Sequence, residues 1–234
     1  MDSITSAFSN AFSLIVRLDP DLIGIIVLSL EVSGVALAVS TVLGLPVGAL
    51  LGLKRFPARD LAISMVNTFM GLPPVVVGLF LYLLLSRKGP FGFLGLLYSP
   101  SAMIIAQTVL AIPIVTALCH SAIVGVDPII RQAARTLGAT PAQETLAVIR
   151  EARYGILSAL IAAFGRVMAE VGAILIVGGN IAGYTRVMTT TIALETDKGN
   201  FELALALGII LLAISFLVNA ALHLVQKKGM AHIP

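Results

Sequence analysis

Charge is what this sequence has least of. Only 12% of its 234 residues are Asp, Glu, Lys or Arg, whereas 58% are hydrophobic; soluble domains carry roughly 25% charged residues. With a mean hydropathy of +1.03, an ordinary soluble domain is excluded and an integral membrane protein is implied. Cysteine occurs once, as Cys119, which excludes an internal disulfide and, among apolar neighbours, reads as a buried thiol. Histidine is confined to His120, His223 and His232, isolated positions that offer no metal-ligand spacing and are given no role. There is no Gly-x-x-x-x-Gly-Lys-Ser/Thr and no Gly-x-Ser-x-Gly, so no catalytic or metal-binding residue is expected and the chain is not expected to hydrolyse ATP. An intramembrane enzyme has no nucleophile and base to work with. The net charge of +3 is spread over loops and reads as membrane orientation rather than as a nucleic-acid surface.

Five apolar segments, 21–53, 61–85, 101–125, 154–178 and 203–225, are each long enough to cross the hydrocarbon core of a bilayer. They predict an all-α membrane fold with about five transmembrane helices. Residues 1–20 lack a basic start, and Ile4, Phe8, Phe12 and Ile15 recur at helical spacing, which predicts an interfacial helix rather than a signal peptide. Residues 21–226 are read as one transmembrane domain and 227–234 as a cytoplasmic tail. Basic residues concentrate at 54–59, 131–153 and 227–228, against Arg17, Arg87, Lys88, Arg186 and Lys198 on the other side. The richer side is expected in the cytoplasm, with the N-terminus outside and the C-terminus inside.

Between the third and fourth segments lies the most strongly punctuated stretch of the chain. Asp127-Pro128 joins an N-cap to a proline at the first helical position, and Gly138 can adopt the left-handed conformation that ends a helix. Thr140-Pro141-Ala142-Gln143 supplies a capping box that restarts a second short helix. A helix, a glycine bend and a helix, presented in water over 127–153, read as a docking surface. Ile129, Ile130, Ala133, Ala134 and Leu137 form its apolar stripe, while Arg135, Thr136 and Thr140 are expected to face the partner.

Within the spans, polar residues mark candidate pathway positions. Arg166 and Glu170 lie one turn apart in the fourth segment, and charges at that depth require partners. Because arginine precedes glutamate, against the helix dipole, a partner on another span is expected. A structural bridge and a gate position both remain open. Pro73-Pro74 removes two backbone donors in the second segment, and a helix restarting at Val75 would present free N–H groups to an anion; an ordinary kink is the alternative. Outside, Gly178-Gly179-Asn180 begins a flexible loop, followed by Thr189, Thr190 and Thr191. Their hydroxyls suit a brief anion contact or, alternatively, capping and packing.

The 127–153 segment resembles the EAA loop of ABC-type import permeases, which docks on the ATPase subunit. Ala133, Ala134 and Gly138 stand where that pattern has them, Gln132 stands in place of its glutamate, and Arg150-Glu151 in place of its closing Leu-Pro. Leu-Gly-Leu-Pro (43–46), Gly-Leu-Pro-Pro-Val-Val-Val-Gly (71–78), Ala-Arg-Thr-Leu-Gly-Ala (134–139) and Gly-Gly-Asn-Ile (178–181) are similar to the molybdate, tungstate and sulfate branch. Residues 165–172 and 185–196 are most similar to tungstate permeases. The resemblance implies a type I importer permease fold and ATP-driven uptake of a tetrahedral oxyanion, tungstate first. Its coupling residues would be Gln132, Ala133, Ala134, Arg135, Thr136, Leu137, Gly138 and Thr140. The implied partners are a second copy, two cytoplasmic ATPase subunits that bind the ATP and magnesium, an extracellular oxyanion-binding protein and the lipid bilayer, with no cofactor in this chain. One docking segment serves one ATPase, and such ATPases work in pairs, so a C2 homodimer is expected. A molybdate or sulfate permease is the alternative within the class. An ion-coupled secondary transporter would require an internal repeat, which is not evident.

Overall fold

The computed structural model describes Ser13, Val16 and residues 20–230, with side chains up to Ala221. The predicted interfacial helix over 1–20 therefore lies almost wholly outside the described residues. The described chain runs as α1 (Pro20–Leu53), α2 (Arg59–Met70), α3 (Pro74–Leu85), a 3-10 turn (Gly92–Leu94), α4 (Pro100–Val124), α5 (Pro128–Thr136), α6 (Pro141–Met168), α7 (Gly172–Gly178), α8 (Met188–Asp197) and α9 (Phe201–Met230). No strand occurs among the described residues. α1, α4 and α9 are single apolar helices of membrane-spanning length, and the spans become five if each of two bent pairs counts as one.

The first of those bends was expected from Pro73-Pro74, and the second was not. The predicted span 61–85 is two helices, α2 and α3, meeting at 93°. Consecutive prolines are the cause: neither Pro73 nor Pro74 has an N–H to donate to the preceding turn. The predicted span 154–178 is divided between α6 and α7, which meet at 55°. The second helix of the docking segment is not short either, since α6 runs unbroken for 28 residues from Pro141 to Met168. At the far end, residues 227–230 of the expected tail continue α9 as helix.

α4 sits at the centre, and α1 lies along it. Lipid tails are as apolar as leucine, so helices in a membrane associate through close packing rather than through escape from water. The contact is a glycine stripe, Gly44, Gly48 and Gly52, on one face of α1. A Cβ on Gly48 would come within 2.6 Å of the Thr116 carbonyl oxygen, and one on Gly52 within 2.8 Å of Ile123. Cys119 is buried against this face, as expected of a lone thiol. The C-terminal carbonyls of α1 are satisfied by arginines from elsewhere: Arg59 Nε donates to Leu51 O at 2.7 Å and Arg131 Nη2 to Gly52 O at 3.4 Å. This ties the base of α5 to the bundle.

Candidate functional site: a docking hairpin and a paired break in two spans

The hairpin between α5 and α6 is built from local sequence. Asp127 Oδ1 accepts from the Ile129 N–H at 2.8 Å, beginning α5. At the other end Gly138 takes φ 76°, while Gly138 N–H donates to Arg135 O and Ala139 N–H to Ala134 O, each at 3.0 Å. These two bonds form a Schellman motif, which needs a left-handed residue at this position. Thr140 then caps α6: its Oγ1 accepts from Gln143 N–H at 3.4 Å, and Gln143 Oε1 accepts from Thr140 N–H at 2.8 Å. Arg135 clasps the two helices together through a bidentate pair with Glu144, Nε to Oε2 at 2.8 Å and Nη2 to Oε1 at 2.9 Å. The hydrogen bonds from Arg135, reinforced by its charge, hold the Glu144 carboxyl below its ordinary range.

Arg135, Thr136 and Thr140 were expected to face a partner, yet their polar groups are used inside the hairpin. Arg135 binds Glu144, the Thr136 hydroxyl donates to Gln132 O at 2.9 Å, and Thr140 is a cap. These side chains remain exposed, and beside them the hairpin turns apolar groups outward. Leu137 is 88% exposed and Ile129 60%, with Gln132 and Ala133 also exposed and Ala134 half-buried. An exposed leucine on a helical turn, carried on a rigidly clasped frame, is the kind of anchor that fills a partner's pocket.

The second assembly lies where the two broken spans meet. Gly78 on α3 touches α7 so closely that a Cβ there would lie 2.8 Å from the Ala173 Cα, and one on Gly172 would lie 2.8 Å from Val75 Cγ2. α3 restarts at Pro74, one residue before the predicted position. Its first N–H groups are mostly occupied, because Pro73 O accepts from Val76 at 3.0 Å and from Val77 at 3.2 Å. The expected row of free donors is thereby reduced.

Arg166 closes the last turn of α6, and Glu170 sits in the break before α7. Their expected partner on another span is replaced by a local pair, Arg166 Nη1 to Glu170 Oε2 at 3.5 Å. The reason is the helix break: Glu170 leaves the helical path and folds back to cap α7, its Oε1 accepting from Ala173 N–H at 3.3 Å. Glu170 is buried and Arg166 half-exposed. Gln107 on α4, which sequence reading missed, supports the break by donating Nε2 to Val167 O at 3.1 Å. A lone amide inside the apolar run 101–125 was the available signal.

The loop from Gly178 to Val187 and the start of α8 after it have their threonine hydroxyls engaged. The buried Thr185 donates to Gly178 O at 2.6 Å and accepts from Ile181 N–H at 2.9 Å. Thr189 donates to Glu170 O at 2.8 Å, Thr190 to Asn180 Oδ1 at 2.9 Å and Thr191 to Val187 O at 2.7 Å. Asn180, in the left-handed region at φ 49°, returns its amide to Thr190 O at 3.4 Å. Thr189 thereby pins α8 to the break, while Thr190 holds the preceding loop and Thr191 the first turn of α8 itself. The structure thus brings Pro73, Pro74, Arg166 and Glu170 to one depth, with Thr189 tied to them, and keeps the coupling residues apart at the far end of α6.

Comparison with known proteins agrees with this architecture. A "Probable anion ABC transporter permease protein" of Haloferax volcanii is 47% identical over 204 residues, 85% of this chain and 88% of that protein. The "Tungstate uptake system permease protein TupB" of Peptoclostridium acidaminophilum is 40% identical over 228 residues, 97% of this chain and 100% of that protein. Among solved structures, an inward-facing form of the MetNI methionine ABC transporter superposes with a TM-score of 0.74 at 20% identity, covering 88% of this chain and 95% of that one. The expected all-α importer-permease fold is therefore observed. Residues 44–229 match the family described as "Binding-protein-dependent transport system inner membrane component", and the chain belongs to that family of multi-pass membrane permeases.

Proposed function

We propose that this chain is the transmembrane subunit of an ATP-driven importer that carries a tetrahedral oxyanion, tungstate first, across the cytoplasmic membrane. The observation that carries the reading is the end-to-end relation, at 40% identity, to a tungstate uptake permease. On this reading two copies pair about a twofold axis, the hairpins point into the cytoplasm, and the N- and C-termini lie outside and inside respectively. Two ATPase subunits seat on the hairpins and hold the ATP and magnesium, while a binding protein delivers the ion from outside. Leu137 and Ile129 act as anchors, and Gly138 lets the hairpin present them. Closure of the ATPase pair draws the two hairpins together and turns the spans outward; release after hydrolysis turns them inward. Because α6 is unbroken, displacement of the hairpin reaches the span break without an intervening hinge.

Reconstitution with the ATPase and binding protein tests this reading, with ATP hydrolysis measured against tungstate, molybdate and sulfate. Stimulation by tungstate at the lowest concentration is expected. Preferential stimulation by molybdate would move the chain to the alternative cargo, and no response to any oxyanion would overturn the reading.

A further inference from the structure

The cleft where the two broken spans meet is narrow in this conformation, with about 20 Å³ open to a water-sized sphere, and is lined by Met70, Leu72, Gln107, Leu110, Arg166 and Glu170, among others. Arg166 lies about 18 Å along α6 from Tyr154, the start of the apolar segment, at about 1.5 Å per residue. A half-exposed guanidinium at that depth is strongly disfavoured against lipid tails and belongs on protein or water. The exposed surface of α2 next to it is divided. Ser64, Asn67, Thr68 and Gly71 are exposed along one side, and Leu61, Met65 and Phe69 along the other. Asn67 stands one turn before Met70 of the cleft. At the inner wall Gln107 is 1% exposed, and its Oε1 has no hydrogen-bond partner among the described residues; an amide oxygen only accepts, so the holding of an anion here would fall to Arg166.

We propose that this cleft is a transit site for the oxyanion and that Glu170 is the ion's built-in competitor for Arg166. The inference rests on the import reading above. The two oxygens of Glu170 divide the work. Oε1 is held by the Ala173 N–H at 3.3 Å, so the carboxylate keeps its place when the arginine leaves. Oε2 meets Arg166 at 3.5 Å, longer than the 2.7–2.9 Å typical of a tight charge-assisted bond. The guanidinium fork matches two oxygens of a tetrahedral oxyanion, and its long stem can swing to meet one. An unopposed arginine would hold a dianion and stall conduction, whereas a paired one exchanges partners and lets the ion go. Glu170 lies beyond the end of α6, so motion of that helix alters the separation of the pair and couples the exchange to the hairpin.

The test uses the permease and ATPase assembly, titrated with tungstate without binding protein, and then its uptake in proteoliposomes with binding protein. Glu170→Gln keeps an oxygen for the Ala173 N–H and removes the charge. It is expected to tighten tungstate binding roughly fivefold or more, the upper range for a partly exposed pair, and to slow uptake at saturating substrate. Arg166→Gln should abolish the binding, and Arg166→Lys should restore part of it. Wild-type binding and uptake in Glu170→Gln, or wild-type binding in Arg166→Gln, would overturn the proposal. The arginine variant leaves the α7 cap in place and decides the matter if the glutamate variant does not assemble. Oxyanion-stimulated ATP hydrolysis in the wild-type complex separates the two readings: its absence sinks import itself, and its presence with unchanged variants sinks only the exchange.

Discussion

The hairpin at Gly138 and the break at Glu170 interrupt helices by different means. Between α5 and α6 every device is within ten residues: a Schellman glycine, a capping box and an arginine clasp, all in exposed positions. Between α6 and α7 the devices come from across the bundle, with Gln107 of α4 holding Val167 O, Thr189 of α8 holding Glu170 O, and Gly78 of α3 admitting Ala173. An interruption in water needs only local satisfaction because the solvent completes the rest. One within a membrane must be completed by protein. On the function proposed above, the first serves docking and the second the ion's path.

Substitution at Gly78 should have the largest effect. Its Cβ would meet backbone, 2.8 Å from the Ala173 Cα, so Gly78→Ala must part α3 from α7 at a cost of about 1–3 kcal/mol, as for other overpacked sites. A lowered thermal midpoint in detergent is the expected readout. Gly24→Ala, with open space around the glycine, should hold or raise the midpoint.

Gly138→Leu should act differently. There is nothing within 4 Å of the position it would fill, so the penalty is conformational, about 1–2 kcal/mol for a side chain in the left-handed region. The thermal midpoint should fall by a few degrees at most, while ATPase binding or its coupling to transport is lost; Gly138→Asn should retain much of both. A fully coupled leucine variant would erase the distinction between the two regions.

The smallest expected effect is that of pH on the Arg135 clasp. Glu144 has its folded-state value held below the ordinary 4.5, so the clasp contributes fully above that value and is lost as pH falls through the lower folded one. Hydrogen exchange of residues 136–144 should be unaffected by this group between pH 7 and 5, once intrinsic exchange is corrected for, and should rise in more acid solution. Arg135→Ala should remove that acid-dependent step.

The same contrast explains what could be read from sequence. The hairpin was legible because Asp127-Pro128, Gly138 and Thr140-Pro141-Ala142-Gln143 each act on neighbours a few residues away. The spans were legible as apolar runs and the bend at Pro73-Pro74 as two missing donors, but the bend at Ala169-Glu170-Val171 was not, because hydropathy counts those residues as part of a longer segment. The Arg166 and Glu170 charges and the possibility of their i,i+4 pairing were found, but not the break that turns Glu170 back onto α7 and favours that pair over one with another span. The threonines at 189–191 read equally as ion donors or as packing groups, and only the fold places their acceptors. The Gly44, Gly48 and Gly52 stripe was visible in spacing, yet its meaning depends on α4 lying against it.

The central claim is that the exposed turn at Leu137 is where an ATPase grips this permease. Leu137→Cys in the assembled complex tests it most directly, since Cys119 is buried and leaves a quiet background. A short thiol-to-amine cross-linker is predicted to join residue 137 to a lysine of the ATPase subunit and to leave a cysteine placed at Phe93, in the 3-10 turn, unjoined. Labelling of residue 137 by an impermeant reagent from outside the cell, with no cross-link to the ATPase, would contradict the account.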